Sequence, residues 1–289
     1  MIERRSCLVL LLVVAIAGQG VAYAQIDSDV IYGHKDGMAL VYDVFHAEEP
    51  NGAGVVYMVS GGWFSRWREP QSRLPQFASL LNEGFTVFAV YHGSAPRFKV
   101  PDAVSDVRAA VRHIRTHADA YGVDADRLGV WGGSAGGHLS LMLGLDAESP
   151  PMSAKGEGRA RFLTPAYAVS PNADARLAAV VAYYPPVDLR PRVGPSERFP
   201  ALNFSADAAA AISPILFVTK DDPPILLIHG DADTLVPLAD SEILVKELSA
   251  TGVTHELLVI AGGDHGFRTP SHRAEATHAM VAWFKAHLL

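Results

Sequence analysis

Cysteine is all but missing from this 289-residue chain, and its one copy, Cys7, lies among the first residues. Those residues have the form of an export leader. Arg4 and Arg5 precede an almost wholly apolar run from Cys7 to Gly18, and Ala22-Tyr23-Ala24 puts small side chains at the two positions a signal peptidase reads. The run is about 12 residues where a spanning helix needs ~20, so cleavage after residue 24 is expected rather than a membrane anchor. Cys7 precedes the apolar run instead of marking its end, which argues against a lipid-modified cysteine, and it leaves with the leader. The mature chain, residues 25–289, is then exported to the periplasm or the medium with no thiol. Disulfides, a cysteine nucleophile and thiolate metal sites are excluded together.

Positive charge is also scarce. Without Glu3, Arg4 and Arg5 the chain keeps 22 basic against 30 acidic residues, a formal charge of −8. Such a field attracts neither nucleic acid nor anionic membranes. No apolar run after the leader is long enough to span a bilayer. A hydrophobic fraction of 49% with 19% charged residues excludes disorder and fibrous repeats and fits a globular domain.

What is present is an alternation of buried-strand and amphipathic-helix patterns. Asp29–His34 and Met38–Phe45 flank Lys35-Asp36-Gly37, a hairpin signal. Gly54–Val59 and Phe85–Tyr91 read as buried strands with a helix over Gln71–Asn82 between them. In Pro101–Tyr121, Val104, Val107, Val111, Ile114, Ala118 and Tyr121 recur at three- and four-residue steps, predicting one long helix. Leu128–Trp131, Leu177–Tyr184, Pro224–His229 and His255–Ile260 supply further strands, and Ser134–Leu145, Leu238–Thr251 and Ser271–His287 further helices. About eight mostly parallel strands with helices on both faces are expected, an α/β class in one domain over 25–289. Two stretches break the rhythm: Asp146–Asn172, rich in Pro, Ser, Gly and charge, and Asp188–Pro223, rich in Pro and Ala, the latter expected to form a small cap near the site.

Within this frame Gly132-Gly133-Ser134-Ala135-Gly136-Gly137 stands between a strand and a helix. That is the setting of a nucleophile elbow, in which the turn lifts a serine hydroxyl above the sheet and leaves no room for side chains at Gly132 and Gly136. A serine hydroxyl is a weak nucleophile at neutral pH, so it needs a histidine to take its proton and a carboxylate to orient that histidine. Both belong after later strands, in the order Ser, acid, His. The strand ending at His229 runs into a loop with Asp231 and Asp233, either of which can be the acid. The strand ending at Ile260 runs into Gly262-Gly263-Asp264-His265-Gly266, making His265 the base, while His272, His278 and His287 sit on a surface helix. Developing oxyanion charge needs preset backbone N–H donors, about 3 kcal/mol each. Ala135 and the glycines of Ser60-Gly61-Gly62-Trp63 are the candidates, and Trp63, Phe64 and Trp67 are candidates to line a substrate pocket. His229, Asp231, Asp233, Asp264 and His265 lack the compact spacing of a metal site, so no metal is expected.

Gly61-Gly62-Trp63, Ala95-Pro96, residues 130–138 (Val-Trp-Gly-Gly-Ser-Ala-Gly-Gly-His), residues 229–237 (His-Gly-Asp-Ala-Asp-Thr-Leu-Val-Pro) and residues 263–267 (Gly-Asp-His-Gly-Phe) together resemble the α/β-hydrolase superfamily. They look most like secreted esterases of the bifunctional feruloyl and acetyl-xylan esterase type, next to the hormone-sensitive-lipase-like esterases. The resemblance implies an α/β-hydrolase fold, the acid at Asp233, the base at His265 and donors at Gly61, Gly62 and Ala135. It further implies hydrolysis of short-chain acyl esters, acetyl or feruloyl, on small molecules or polysaccharide, with no cofactor. The chain departs from the family's His-Gly-Gly-Gly-Trp, having Val59-Ser60-Gly61-Gly62-Trp63, so the loop-bracing histidine is gone. Two other readings stand beside it. A peptidase of the oligopeptidase type shares the fold but usually carries a large N-terminal propeller, for which the residues before the first buried strand leave no space. A non-catalytic hydrolase-like binding protein would have lost a triad residue, and none is lost.

Overall fold

The computed structural model describes residues 25–146 and 175–289. The expected leader, 1–24, and nearly all of the excursion 146–172 lie outside them. Eight strands form one sheet in the order β1-β2-β4-β3-β5-β6-β7-β8. β1 (Ile26–Lys35) and β2 (Met38–Phe45) make the expected hairpin, and β2 pairs antiparallel with β4 (Thr86–Val90). From β4 onward every pairing is parallel, through β3 (Gly54–Met58), β5 (Leu128–Gly133), β6 (Ala179–Tyr183), β7 (Ile225–Gly230) and β8 (His255–Ile260). Parallel pairing needs crossovers, and helices on both faces supply them except between β6 and β7, where an irregular segment makes the crossing.

One face is covered by α2 (Val100–Thr116), α3 (Ala135–Leu145) and α4 (Leu238–Thr251), whose Val104, Val107, Leu139 and Leu244 pack on Val56, Val130 and Val180. The other is covered by α1 (Leu74–Leu81) and α5 (Pro270–Leu288), through Phe77, Leu80, Met280 and Phe284 on Val55, Trp131 and Val181. Burying a side chain such as Phe284 contributes about 2 kcal/mol. Gly129 makes room for it: a Cβ there would stand 2.6 Å from the Phe284 ring.

The long helix over 101–121 is divided. α2 stops at Thr116, where the His117 N–H is shared between the His113 and Ile114 carbonyls, and a 3₁₀ turn, Ala118–Tyr121, leads to Gly122 at φ 66°. The segment expected as a cap, 188–223, contains four 3₁₀ turns and neither α-helix nor strand. It is tied down by Arg192, whose guanidinium meets the Asp240 carboxylate at 2.6 Å, and by Lys99 Nζ, which donates to the Pro200 carbonyl at 2.8 Å. Between β3 and β5 the connections diverge to opposite sides of the sheet, and open α/β sheets place their ligand crevices beyond the strand ends at such a point.

Candidate active site

Ser134 lies at that point, immediately after β5. Its φ of 54° and ψ of −119° are a strained combination for a residue with a Cβ, held by Ser134 N–H donating to the Tyr183 carbonyl and by the Ser134 carbonyl accepting from His138 N–H, both at 2.9 Å. The glycines are sterically required. A Cβ on Gly132 would collide with the Gly136 backbone, one on Gly136 would stand 3.0 Å from the Met58 carbonyl, and one on Gly137 2.9 Å from the Tyr183 carbonyl.

His265 Nε2 lies 3.0 Å from Ser134 Oγ, and its Nδ1 lies 2.7 Å from Asp233 Oδ2. The Asp233 carboxylate is fully buried, and its other oxygen accepts from the N–H groups of Leu235 and Val236 at 2.8 and 3.0 Å. Asp231 turns away and accepts from Gly262 N–H at 2.7 Å, bracing the loop after β8. Of the two aspartates the structure brings only Asp233 to the histidine. The two loops meet because Gly230 and Gly263 touch backbone to backbone, with Ala232 N–H donating to the Gly263 carbonyl at 3.1 Å. Behind the acid stands His229. Burial lowers its pKa and keeps it neutral, its Nε2–H donates to the Val236 carbonyl at 2.9 Å, and its Nδ1 accepts from Ser241 Oγ at 2.8 Å. Its Nε2 is 3.5 Å from Asp233 Oδ2. His229 is therefore a brace of the acid loop.

The oxyanion loop differs from expectation in two places. Gly61 N–H donates to the Phe64 carbonyl and Phe64 N–H returns to the Gly61 carbonyl, both at 3.0 Å, closing a two-residue turn on Gly62 and Trp63 at φ 57° and 59°. Two successive positive-φ residues mark a type I′ hairpin turn, which engages the flanking N–H and leaves those within the turn open. Gly61, expected as a donor, therefore closes the turn. Among the described residues Gly62 N–H has no acceptor, and Ala135 N–H, the first of α3, is an orphan donor of a helix start. Trp63, expected in the substrate pocket, is 5% exposed. Its indole packs edge-on to His138 with Nε1 3.4 Å from Nδ1. Trp67 is on the surface, donating to Asp29, and Phe64 is partly buried against the core.

Several site residues carried no motif. Tyr184 follows β6 with its ring 4.6 Å from that of His265, and its hydroxyl would stand 2.8 Å from a Cβ on Gly133. Burial first, then Tyr57, Asp233 and Asp264, push its pKa up, so the hydroxyl stays protonated. Phe199, from the 188–223 segment, would be 3.1 Å from a Cβ on Gly62. Ser134 opens into a cleft of about 1650 Å³ that runs between α1 and α5, with Tyr57 and Trp131 among its floor residues and Gln76, Ser79, Thr277 and His278 among its walls. The gap between those two helices is a product of packing, which the periodicity of neither helix announces. Among the described residues no group of three or more His, Cys, Asp or Glu is arranged to hold a metal ion, and no helix is long and apolar enough to cross a membrane.

This arrangement, a serine at an elbow hydrogen-bonded through histidine to a buried carboxylate, coincides with a sequence match to the BD-FAE family over residues 43–248. The chain belongs to that family. Both the α/β-hydrolase fold and the resemblance read from the motifs are thereby borne out. The BD-FAE protein is 28% identical to the esterase LipC of Mycobacterium tuberculosis, over 82% of this chain and 59% of the relative. It is 24% identical to an acetylxylan esterase of Xylanibacter ruminicola, over 84% of this chain and 44% of the relative, and 28% identical to an ethyl acetate hydrolase of Pseudomonas putida, over 88% and 80%. The chain thus spans about half to three-fifths of the length of its mycobacterial relatives. Among solved structures it superposes on a truncated carbohydrate esterase from gut microbiota with a TM-score of 0.70 at 26% identity, covering 92% of this chain and 97% of that one. It also superposes on esterase 2 of Thermogutta terrifontis, TM-score 0.73 at 22% identity over 93% and 97%, a likeness of fold.

Proposed function

We propose that this BD-FAE protein is an exported serine carboxylesterase that hydrolyses short-chain acyl esters through an acyl-Ser134 intermediate. The observation that carries the reading is the hydrogen-bond chain Ser134 Oγ to His265 to Asp233, beside the open Gly62 and Ala135 N–H groups. Ser134 Oγ attacks the ester carbonyl carbon while its proton passes to His265 Nε2. Asp233 holds the Nδ1–H tautomer and stabilises the imidazolium. The carbonyl oxygen becomes an oxyanion facing Gly62 and Ala135. Collapse expels the alkoxide, which takes the proton from His265 and leaves as the alcohol. Water, deprotonated by His265, then attacks the acyl-serine carbonyl, and the acyl–Oγ bond breaks as His265 returns the proton to Ser134 Oγ, releasing the acid and restoring the hydroxyl. No step calls for a metal or cofactor.

The names of the relatives support acetyl esters, on xylan or on a small alcohol, and the aromatic floor of the cleft suits an aryl acyl group of the feruloyl type. Residues 1–24 support export, which suits an enzyme acting on a polymer too large to enter a cell. The test is turnover of aryl acetate, methyl ferulate, acetylated xylan and a dipeptide amide by the protein and by Ser134→Ala. Ester turnover exceeding amide turnover and vanishing in the variant is the expected result; undiminished activity in Ser134→Ala overturns the mechanism.

A further inference from the structure

The turn that presents Gly62 N–H is held at both ends by an imidazole. On one side His92, just beyond β4, is 4% exposed. Its Nδ1 lies 2.9 Å from the Gly93 carbonyl and its Nε2 2.9 Å from Ser60 Oγ. On the other, His138, one turn into α3 from Ser134, is fully buried. Its Nε2 lies 2.8 Å from the Ile212 carbonyl, and its Nδ1 faces the Trp63 indole N–H at 3.4 Å. A carbonyl can only accept, so it fixes the proton on the nitrogen it faces and leaves the other bare. His92 therefore takes the Ser60 O–H on Nε2, and His138 takes the Trp63 N–H on Nδ1. Burial drives both pKa values down to about 4, so each is a neutral imidazole at working pH.

The two contacts bracket Gly61 and Gly62. His138 also belongs to the helix whose first N–H is Ala135, so the Trp63 contact links the Gly62 donor to the Ala135 donor. The His92 side is reinforced by His92 N–H to Ser65 Oγ at 3.1 Å, Ser65 N–H to Ser94 Oγ at 3.0 Å and Ala95 N–H to the Trp63 carbonyl at 3.1 Å. Preset donors stabilise a transition state only if their spacing is fixed before charge develops, and a displacement of about 1 Å can cost 10²-fold.

We propose that His92 and His138 are positioning residues that clamp the Gly62 turn against α3 and so set the spacing of the two oxyanion donors, His92 with Ser60 replacing the brace lost with the histidine of the His-Gly-Gly-Gly-Trp motif. The inference rests on the acyl-serine reading above. The experiment compares His92→Phe, His92→Gln, His138→Phe and His138→Asn for kcat and KM on an aryl acetate, and for inhibition by a boronic acid that forms a tetrahedral adduct on Ser134. Removal of either bare nitrogen is expected to lower kcat by 10- to 100-fold, with KM within about twofold and boronate affinity falling in parallel. Gln and Asn, which restore an acceptor oxygen near Nε2 and Nδ1 respectively, are expected to recover most of the loss. Should a Phe variant fail to fold, Ser60→Ala and Trp63→Phe remove the same two hydrogen bonds from the loop side, with the same kcat loss expected. Unchanged kcat per folded molecule in the variants, with only a lower Tm, overturns the clamp. Activity surviving Ser134→Ala overturns instead the reading beneath it.

Discussion

Asp233 gives one carboxylate oxygen to His265 Nδ1 and the other to the backbone of its own loop, whereas the carboxylate of Asp231, two residues away, accepts from Gly262 N–H. Orienting the base and bracing the neighbouring loop are thus assigned to different side chains of one turn. Asp233→Asn is expected to present an amide donor to His265 and select the wrong tautomer, lowering kcat by roughly 10³- to 10⁴-fold. Asp231→Asn is expected to stay within about threefold of the parent. Steady-state turnover of an aryl acetate by the two variants checks the assignment, and a larger loss at Asp231 reverses it.

Gly61 and Gly62 should separate cleanly on substitution. A Cβ on Gly61 meets nothing within 4 Å, and its N–H already serves Phe64, so Gly61→Ala is expected to change stability by less than ~0.5 kcal/mol and kcat by less than threefold. Gly62 has φ 57° and Phe199 beside it, so Gly62→Ala is expected to tilt the donor and lower kcat by roughly 10- to 100-fold. Denaturant midpoints and kcat for both variants give the comparison.

The elbow glycines predict a stability effect of another size. A Cβ on Gly132 collides with the Gly136 backbone, which has no rotamer by which to yield. Gly132→Ala is expected to destabilise by about 3 kcal/mol or more, or to yield no folded protein. A urea midpoint within error of the parent contradicts this steric account.

His92, His113 and His138 are held as neutral imidazoles by burial, each with its pKa lowered to about 4. An unfolded histidine titrates near 6.5, so below that pH the unfolded chain binds protons that the folded one refuses. The linkage makes stability present above pH ~6.5 and lost progressively as pH falls toward 4. Each histidine contributes up to about 1.4 kcal/mol per pH unit within that window. Urea midpoints at pH 7.5, 6.0 and 5.0 should fall in that order, and His92→Gln should flatten the decline. A midpoint that holds steady down to pH 5 is the contrary result.

The cleft between α1 and α5 makes a prediction about size. Thr277→Trp is expected to narrow it beside the aromatic floor while leaving Ser134 reachable. Turnover of p-nitrophenyl acetate should change by less than about threefold while that of methyl ferulate or acetylated xylan falls about tenfold. Equal losses on all three substrates count against the cleft as a specificity element.

The central strands were legible as short apolar runs bounded by glycine and loop signals, being buried on both faces, and α2 by its three- and four-residue apolar spacing. The helix expected over 101–121 is divided, and its apolar spacing hides the break by continuing through the 3₁₀ turn at Ala118–Tyr121, where period 3 and period 3.6 are hard to distinguish. Ser134, His265 and the pair Asp231 and Asp233 were legible because chain order and glycines constrain them. Choosing between the aspartates takes coordinates or a family pattern, since both lie on one turn. Gly61 closes the turn instead of facing the site because a glycine in a loop does not show in sequence where its N–H points. Trp63 packs into the core, and an aromatic beside a site looks the same in sequence whether it faces substrate or core. His92 and His138 bore no motif that separates a brace from an ordinary core histidine. The spacing of four between Ser134 and His138, on the helix that the elbow opens, was the one available sign.

Gly230 and Gly263 have one further consequence. Their backbones touch where any side chain would collide, so the loop bearing the acid and the loop bearing the base are pressed into a single piece. Neither can accept an insertion beside the contact without displacing the other, and with it the proton path. Diversification of substrate range in proteins built this way is therefore channelled away from β7 and β8. It falls to the rest of the cleft lining, where Phe199 and the facing sides of α1 and α5 can be remodelled while the catalytic chemistry stays untouched.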